Sequence, residues 1–363
     1  VTPDLKVLAI LVHRGLLPAA VAREAMGSGA AGAFLVQRGH CTQAQWLDWL
    51  RTEGGTRPVL SRYEVGELLG EGGVGRVFAA RDRKPDRPEV ADVALKVLRP
   101  ELAKDAQQAE RFVKEARLLL DLAHPHLVKG YRVAKEGDTI FFAMERLPGR
   151  CLQDLLAEQG RLDEESALAI VVEVAGALGA LHARGLVHRD VKPGNILWSP
   201  ERGAVLIDLG FAVPVAGGGH DGETTAGTVH YIAPEQARGQ VGLDVRADIY
   251  ALGATLYHLV TGSLPFEGRT SEEVLAKQVL ESLSGERIRA LGLSPQLHYF
   301  LEKMMAKDRE IRFQDVQQLQ REVEAFLEQR RHQRELDEQS QRDRRLPTRR
   351  SSMFDQRSRK RRR

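Results

Sequence analysis

Eight consecutive residues, His188-Arg189-Asp190-Val191-Lys192-Pro193-Gly194-Asn195, put a carboxylate, a lysine and a primary amide on one loop. A carboxylate can take a proton, a lysine can neutralise phosphate, and an amide oxygen is a hard ligand for a small divalent ion. A fold that uses them together must hold this loop in one conformation and bring complementary groups to it. Candidate groups occur in order along the chain. Upstream is Gly70-Glu71-Gly72-Gly73-Val74-Gly75-Arg76-Val77, then Val93-Ala94-Leu95-Lys96 on a β-prone run, then Glu115 on a helix-prone run. Downstream are Asp208-Leu209-Gly210 and Ala233-Pro234-Glu235.

A lone G-x-G-x-x-G is weak, because dinucleotide sites carry the same pattern. Six elements in this order and spacing leave no room for coincidence. On these residues the chain resembles the serine/threonine protein kinases, most closely their bacterial branch, over roughly 63–330. The resemblance implies an α+β, bilobal protein-kinase fold: a β-rich N-lobe at 63–147 and a helical C-lobe at 148–330. It also implies ATP and Mg²⁺ as cofactors, and protein substrates carrying Ser or Thr.

Residue roles follow from the resemblance. Gly70, Glu71, Gly72, Gly73, Val74 and Gly75 would cover the ATP phosphates, with a mobile tip because Gly73-Val74 lacks the usual bulky residue. Val77, Ala94, Met144 and Leu197 would wall the adenine pocket, and Glu145 to Leu147 would form its hinge. Lys96 would contact phosphate and pair with Glu115, with Glu110 the rival carboxylate. Asp190 would accept or orient the substrate hydroxyl, and Lys192 would neutralise the moving phosphoryl group and mark serine/threonine choice. Asn195 and Asp208 would hold metal. His188 would pack rather than catalyse. Leu209 replaces the family's usual Phe and keeps an apolar side chain there.

Asp208 to Glu235 would be the activation segment, with Thr224 or Thr225 autophosphorylated and engaged by Arg189. Thr228 would support the choice of hydroxyl. Glu235 would pair with Arg312, with Arg309 as competitor, and Asp248 would hold the catalytic loop's backbone. Gly194 stands where many arginine-directed members carry an acid. A pseudokinase scaffold and a small-molecule phosphotransferase are the alternatives; Lys96, Asp190, Asn195 and Asp208 oppose the first, and Lys192 with Ala233-Pro234-Glu235 the second.

The chain's 363 residues have room for two or three domains. No uninterrupted apolar run reaches the roughly 18 residues of a membrane span, Ala169 to Leu181 being interrupted by Glu173. No signal peptide is evident, and the first residue is Val, as in a processed or partial chain. Two cysteines far apart, Cys41 and Cys151, fit free thiols in a reducing compartment, hence a cytoplasmic location. Net charge is +3, yet residues 331–363 carry 13 basic against 5 acidic side chains, leaving 40 against 45 elsewhere. The basic character therefore belongs to the C-terminal tail.

Residues 1–55 contain a repeat offset by 24: Leu11-Val12-His13-Arg14-Gly15 returns as Leu35-Val36-Gln37-Arg38-Gly39. Each copy reads as helix, glycine stop, turn and helix, with Pro18 suited to a helix start and Thr42-Gln43-Ala44-Gln45 to a capping box. A small all-α bundle is expected, with a protein partner or a sensed ligand as alternative uses. Residues 56–62 read as a linker. Residues 331–363 are expected to be disordered. Their alternatives are a solvated linker, a juxtamembrane segment of a membrane-anchored protein, an anionic membrane surface, and nucleic acid, which is the least favoured.

Overall fold

The computed structural model describes residues 3–13, 16–51, 57–86, 90–208, 213–214 and 228–345. The N-terminal repeat folds as two helical hairpins: α1 (Pro3–His13) with α2 (Ala19–Gly27), and α3 (Ala31–Gln37) with α4 (Gln43–Arg51). They enclose their own core, in which the repeat-related Leu11 and Leu35 are both buried. Gly39 stops α3 at φ +70°, a conformation that resists other side chains. Thr42 and Gln45 form the reciprocal capping box, each side chain accepting from the other's backbone N–H at 3.1 and 2.8 Å. Gly32 lies flat against an indole: a Cβ there would stand 2.0 Å from Trp46 Nε1.

The N-lobe contains β1 (Tyr63–Glu71), β2 (Gly75–Asp82), β3 (Asp92–Leu98), the short α5 (Pro100–Ala103), α6 (Ala106–Asp121), β4 (Gly130–Glu136) and β5 (Thr139–Glu145). The five strands form one antiparallel sheet in the order β1-β2-β3-β5-β4. Asp105 caps α6 through the N–H groups of Gln107 and Gln108. The helix buries Phe112, Ala116 and Leu119 in a core shared with Phe142 and Met144. The opposite sheet face has a second core built on Tyr63, Leu95, Phe141 and Ala143.

That second core changes the reading of 56–62. Leu60 is 3% exposed within it. Ser61 is bonded to the Glu136 carboxylate through both N–H and hydroxyl, and Arg62 grips Asp82. Residues 57–62 are therefore part of the lobe rather than a linker, because one leucine closes an otherwise exposed apolar sheet face.

The C-lobe follows with β6 (Arg150–Cys151), α7 (Leu152–Gln159), α8 (Glu164–His182), β7 (Leu186–Val187), β8 (Ile196–Ser199), β9 (Gly203–Leu206) and β10 (Val213–Pro214). Then come α9 (Pro234–Ala237), α10 (Val245–Thr261), α11 (Ser271–Leu280), α12 (Gly285–Ala290), α13 (Pro295–Met304) and α14 (Val316–Arg345). Among the described residues, α8 alone is long and apolar enough to cross a membrane, but 56% of that stretch is buried in the lobe. Glu173, the charge that interrupts it, accepts the Ala204 N–H at 2.7 Å and so ties α8 to β9.

α14 corrects the expectation of disorder from 331 onward: helix continues to Arg345. No Gly or Pro interrupts it. Arg334 reaches Glu165 on α8 at 2.6 Å, and Gln333 is bonded to Asp337 one turn on. Residues 346–363 lie outside the described residues.

Glu235 and Arg312 form a buried two-pronged pair at 2.7 and 2.8 Å. Arg312 also donates to the carbonyls of Ala306, Lys307 and Arg246. Its rival Arg309 instead meets Asp244 at 3.5 Å with 40% of its side chain exposed. Arg312→Ala should therefore cost about 3–5 kcal/mol, and Arg309→Ala no more than about 1 kcal/mol. Urea unfolding of the two variants beside the parent measures both.

Candidate active site

The loop at 188–195 leaves β7 and ends in a 3-10 turn over Pro193–Asn195. Its backbone is fixed by Asp248, a fully buried carboxylate on α10. Asp248 accepts from the N–H groups of His188 and Arg189, both at 2.8 Å, and from His182 Nε2 at 2.8 Å. Three donors satisfy a charge that would otherwise be costly to bury. Arg189 has φ +68°, the one positive value at a non-glycine among the described residues. Such a conformation costs about 1–3 kcal/mol and persists only where its surroundings enforce it. Gln236 adds a bond to the Arg189 carbonyl at 3.2 Å. His188 is buried, and its Nδ1 accepts the Asp190 N–H at 3.2 Å, which fits packing rather than proton transfer.

This scaffold aims Asp190. Its Oδ2 accepts from Asn195 Nδ2 at 2.9 Å and from Lys192 Nζ at 2.8 Å. Among the described residues its buried Oδ1 has no hydrogen-bond partner, a costly state for a carboxylate oxygen unless another donor uses it. Asn195 Nδ2 is further committed to the Asp190 carbonyl at 2.8 Å, so the amide oxygen is the end left to bind a cation. Asn195 and Asp208 flank the β8–β9 hairpin: Ile196 faces Leu206, and the Ile207 N–H donates to the Asn195 carbonyl at 3.0 Å. The sequence separates these two oxygen donors; the hairpin brings them together.

Across the cleft, the β1–β2 hairpin carries the glycine-rich segment, with Gly70 opposite Val77. Gly75 is demanded by packing, since a Cβ would stand 2.4 Å from the Val97 carbonyl oxygen. Gly70 and Gly72 face open space, so nothing in the protein requires their smallness. Glu71 receives Arg76 at 3.1 Å and Arg99 at 2.8 Å, which hold its carboxyl below the usual range. Val77 pairs with Lys96 across β2–β3, and Ala94 with Met144 across β3–β5. Leu197, on β8, is half-buried. Glu145 gives its N–H to the Lys129 carbonyl at 2.8 Å and its carboxylate to Arg202, while Leu147 packs half-buried against the main core.

The expected Lys96–Glu115 pair is not formed. Lys96 Nζ meets Asp208 Oδ1 at 2.7 Å, and Glu115 meets Arg111 at 3.2 Å. Arg111 is one helical turn before Glu115, so it reaches without any movement of α6. Asp208 then takes the single ammonium. Glu115 nonetheless lines the same small cavity as Lys96, Phe112, Leu119 and Asp208, whereas its rival Glu110 is exposed. Arg111, Arg99 and Arg202 are the contributors that sequence reading missed. Only Arg111 left a local signal, its i,i+4 spacing to Glu115. Leu209, Gly210, Thr224 and Thr225 lie outside the described residues.

Burial pushes the Glu115 carboxyl up from 4.5 to about 8, against the opposing pull of Lys96. A carboxyl raised in the folded state keeps its proton there after the unfolded chain has lost it. Its contribution is present below pH 4.5 and lost as pH rises toward 8. Glu115→Gln should remove that term. Thermal melts should show the parent losing ground to the variant between pH 5 and 8, in the absence of nucleotide.

A family model described as protein kinase domain matches residues 63–323. The serine/threonine-protein kinase PknB of Mycobacterium tuberculosis is 36% identical over 269 residues, covering 72% of this chain and 42% of that protein. A probable serine/threonine-protein kinase of Clostridium perfringens, CPE1738, is 35% identical over 71% of this chain and 37% of its own length. One of Corynebacterium efficiens, CE0033, is 38% identical over 65% and 36%. The chain thus spans less than half the length of these curated relatives. With the five-stranded lobe, the helical lobe and the cleft between Lys96 and Asp190 in place, the chain belongs to the bacterial-type serine/threonine protein kinase family.

Proposed function

We propose that this chain transfers the γ-phosphoryl group of ATP to serine or threonine hydroxyls of proteins. The observation that carries the reading is Asp190: one carboxylate oxygen is held by Lys192 and Asn195, and the other is buried and, among the described residues, unpartnered. A substrate hydroxyl donating to Oδ1 would be oriented with its oxygen toward the phosphoryl group, while Lys192 keeps a positive charge beside that oxygen. Asp190 takes the hydroxyl proton as the new oxygen–phosphorus bond forms, and ADP departs with the bridging oxygen. Lys96 binds the phosphates remaining on the nucleotide, and the open faces of Gly70 and Gly72 let backbone approach them. Asn195 and Asp208 fit Mg²⁺ by their hard oxygens, and Mg²⁺ bound there would supply charge neutralisation to the phosphates.

The pseudokinase alternative has little support, because Lys96, Asp190, Asn195 and Asp208 are all present, with Lys96 bonded to Asp208 and Asn195 to Asp190. The family's substrates favour the cytoplasm, where ATP and protein hydroxyls meet. The helical module at 3–51 is suited to a protein partner. The basic stretch beyond 345 is suited to an anionic surface or a membrane-flanking position. Gly194 offers no side chain to recognise a basic peptide residue, which argues against strong arginine-directed choice.

Asp190→Asn should lower transfer of the γ-phosphate to a generic protein substrate by about 10²–10⁴-fold; equal transfer by parent and variant would refute the assignment. For regulation, we propose autophosphorylation at Thr224 or Thr225, read by Arg189, since phosphate adds about −2 charge that a guanidinium can bind. Mass spectrometry of the active protein should find phosphate on one of these threonines, and finding both unmodified would sink the idea.

A further inference from the structure

We infer that Arg99 is a positioning residue for the nucleotide: it clamps the glycine-rich hairpin in its ordered shape. This rests on the nucleotide-site reading above and adds a specific residue to it.

Arg99 follows the last residue of β3. Its backbone N–H donates to the Val74 carbonyl at 3.1 Å, one step beyond the Gly75–Leu98 pairing of β2 and β3. Its side chain turns back to the other arm of the hairpin. Nε donates to the Gly72 carbonyl at 3.0 Å, and Nη2 to Glu71 Oε1 at 2.8 Å. Arg99 therefore bonds residues 71, 72 and 74, while the hairpin's own Gly72 N–H to Gly75 carbonyl bond closes the turn at 2.9 Å. Pro100 keeps Arg99 extended, at φ −58° and ψ 139°, which removes the option of a helical turn that would redirect the side chain.

The clamp matters because of what it holds. Four of the six residues 70–75 are glycine, so an unrestrained hairpin would lose much conformational freedom on closing over a ligand. A segment ordered beforehand loses less, and binding is tighter by the difference. Arg99 supplies that order without adding a side chain on the open face of Gly70 or Gly72. Glu71 is the second half of the device: it holds the guanidinium fork in place and takes Arg76 on the same oxygen. The fork needs both acceptors, so lysine is not equivalent at 99.

The test is steady-state kinetics with ATP as the varied substrate, together with direct ATP binding by calorimetry. The parent, Arg99→Ala, Arg99→Lys, Glu71→Gln and the double variant Glu71→Gln/Arg99→Ala are compared. Because the bonds are charge-assisted but partly solvent-screened, Arg99→Ala should raise KM and Kd for ATP about five- to tenfold, with kcat within about twofold. Arg99→Lys should fall between parent and Ala. Glu71→Gln should weaken ATP in the same direction, and the double variant should be no worse than the worse single one, since both changes open the same clamp. Unchanged ATP affinity in Arg99→Ala would overturn the inference. So would tighter ATP binding by Glu71→Gln with additive effects, because Arg99 would then act on phosphate directly. A fall in kcat matching the rise in KM, with a lowered Tm, would overturn it in favour of a merely structural role. Failure of the parent itself to bind ATP would instead refute the nucleotide site.

Discussion

One buried carboxylate organises the active side of this molecule. Asp248 is fully enclosed on α10, and its three donors come from the loop that carries Asp190 and from α8. The arrangement works in both directions. The loop needs Asp248 to sustain the left-handed backbone at Arg189, and the buried Asp248 oxygens need the loop's N–H groups as hydrogen-bond donors. Because α10 packs against both α8 and α13, the catalytic loop is anchored to the C-lobe core rather than standing as a surface loop. The groups around Asp190 are placed by this backbone, and their separations of 2.8–2.9 Å are its consequence.

The N-lobe contributes charge under looser control. Lys96 and two carboxylates, Asp208 and Glu115, line one small cavity; Lys96 meets Asp208, and Arg111, one turn earlier on α6, meets Glu115. The arrangement leaves Glu115 in surroundings that favour its neutral form, and re-pairing with Lys96 would oppose that burial.

Much of this was legible in the chain, for reasons particular to each element. The catalytic residues were readable because their chemistry is local: Asp190, Lys192 and Asn195 share one loop, and the structure keeps them together. The helices at 164–182, 245–261 and 295–304 start at capping side chains that the sequence carries, Asp163, Asp244 and Ser294, whereas the order of the N-lobe strands is seen only in the fold. Leu60 was not legible, since a single leucine before a strand carries no periodicity, and only the apolar face it covers gives it a role. The extension of α14 was concealed by its composition, which resembles a solvated tail until Glu164 and Glu165 are known to lie beside it. The Arg99 contact joins residues 28 apart through a turn, beyond any pattern of helix or strand. Lys96 is paired with neither Glu115 nor its rival Glu110 but with Asp208, 112 residues further on, an approach that no local spacing reveals.

The N-terminal module adds a point about duplication. Across the repeat, Leu8 corresponds to Gly32 and Ala22 to Trp46, and all four are buried in the same core. Where the second copy enlarged one side chain to an indole, it emptied the position beneath it. The two halves thus keep the same leucine at 11 and 35 while exchanging bulk between these two pairs of positions. Interiors at crystal-like density tolerate such an exchange only when both members change together. Leucine in place of Gly32 would have no room under Trp46, and so the copies have diverged into helices that are no longer interchangeable.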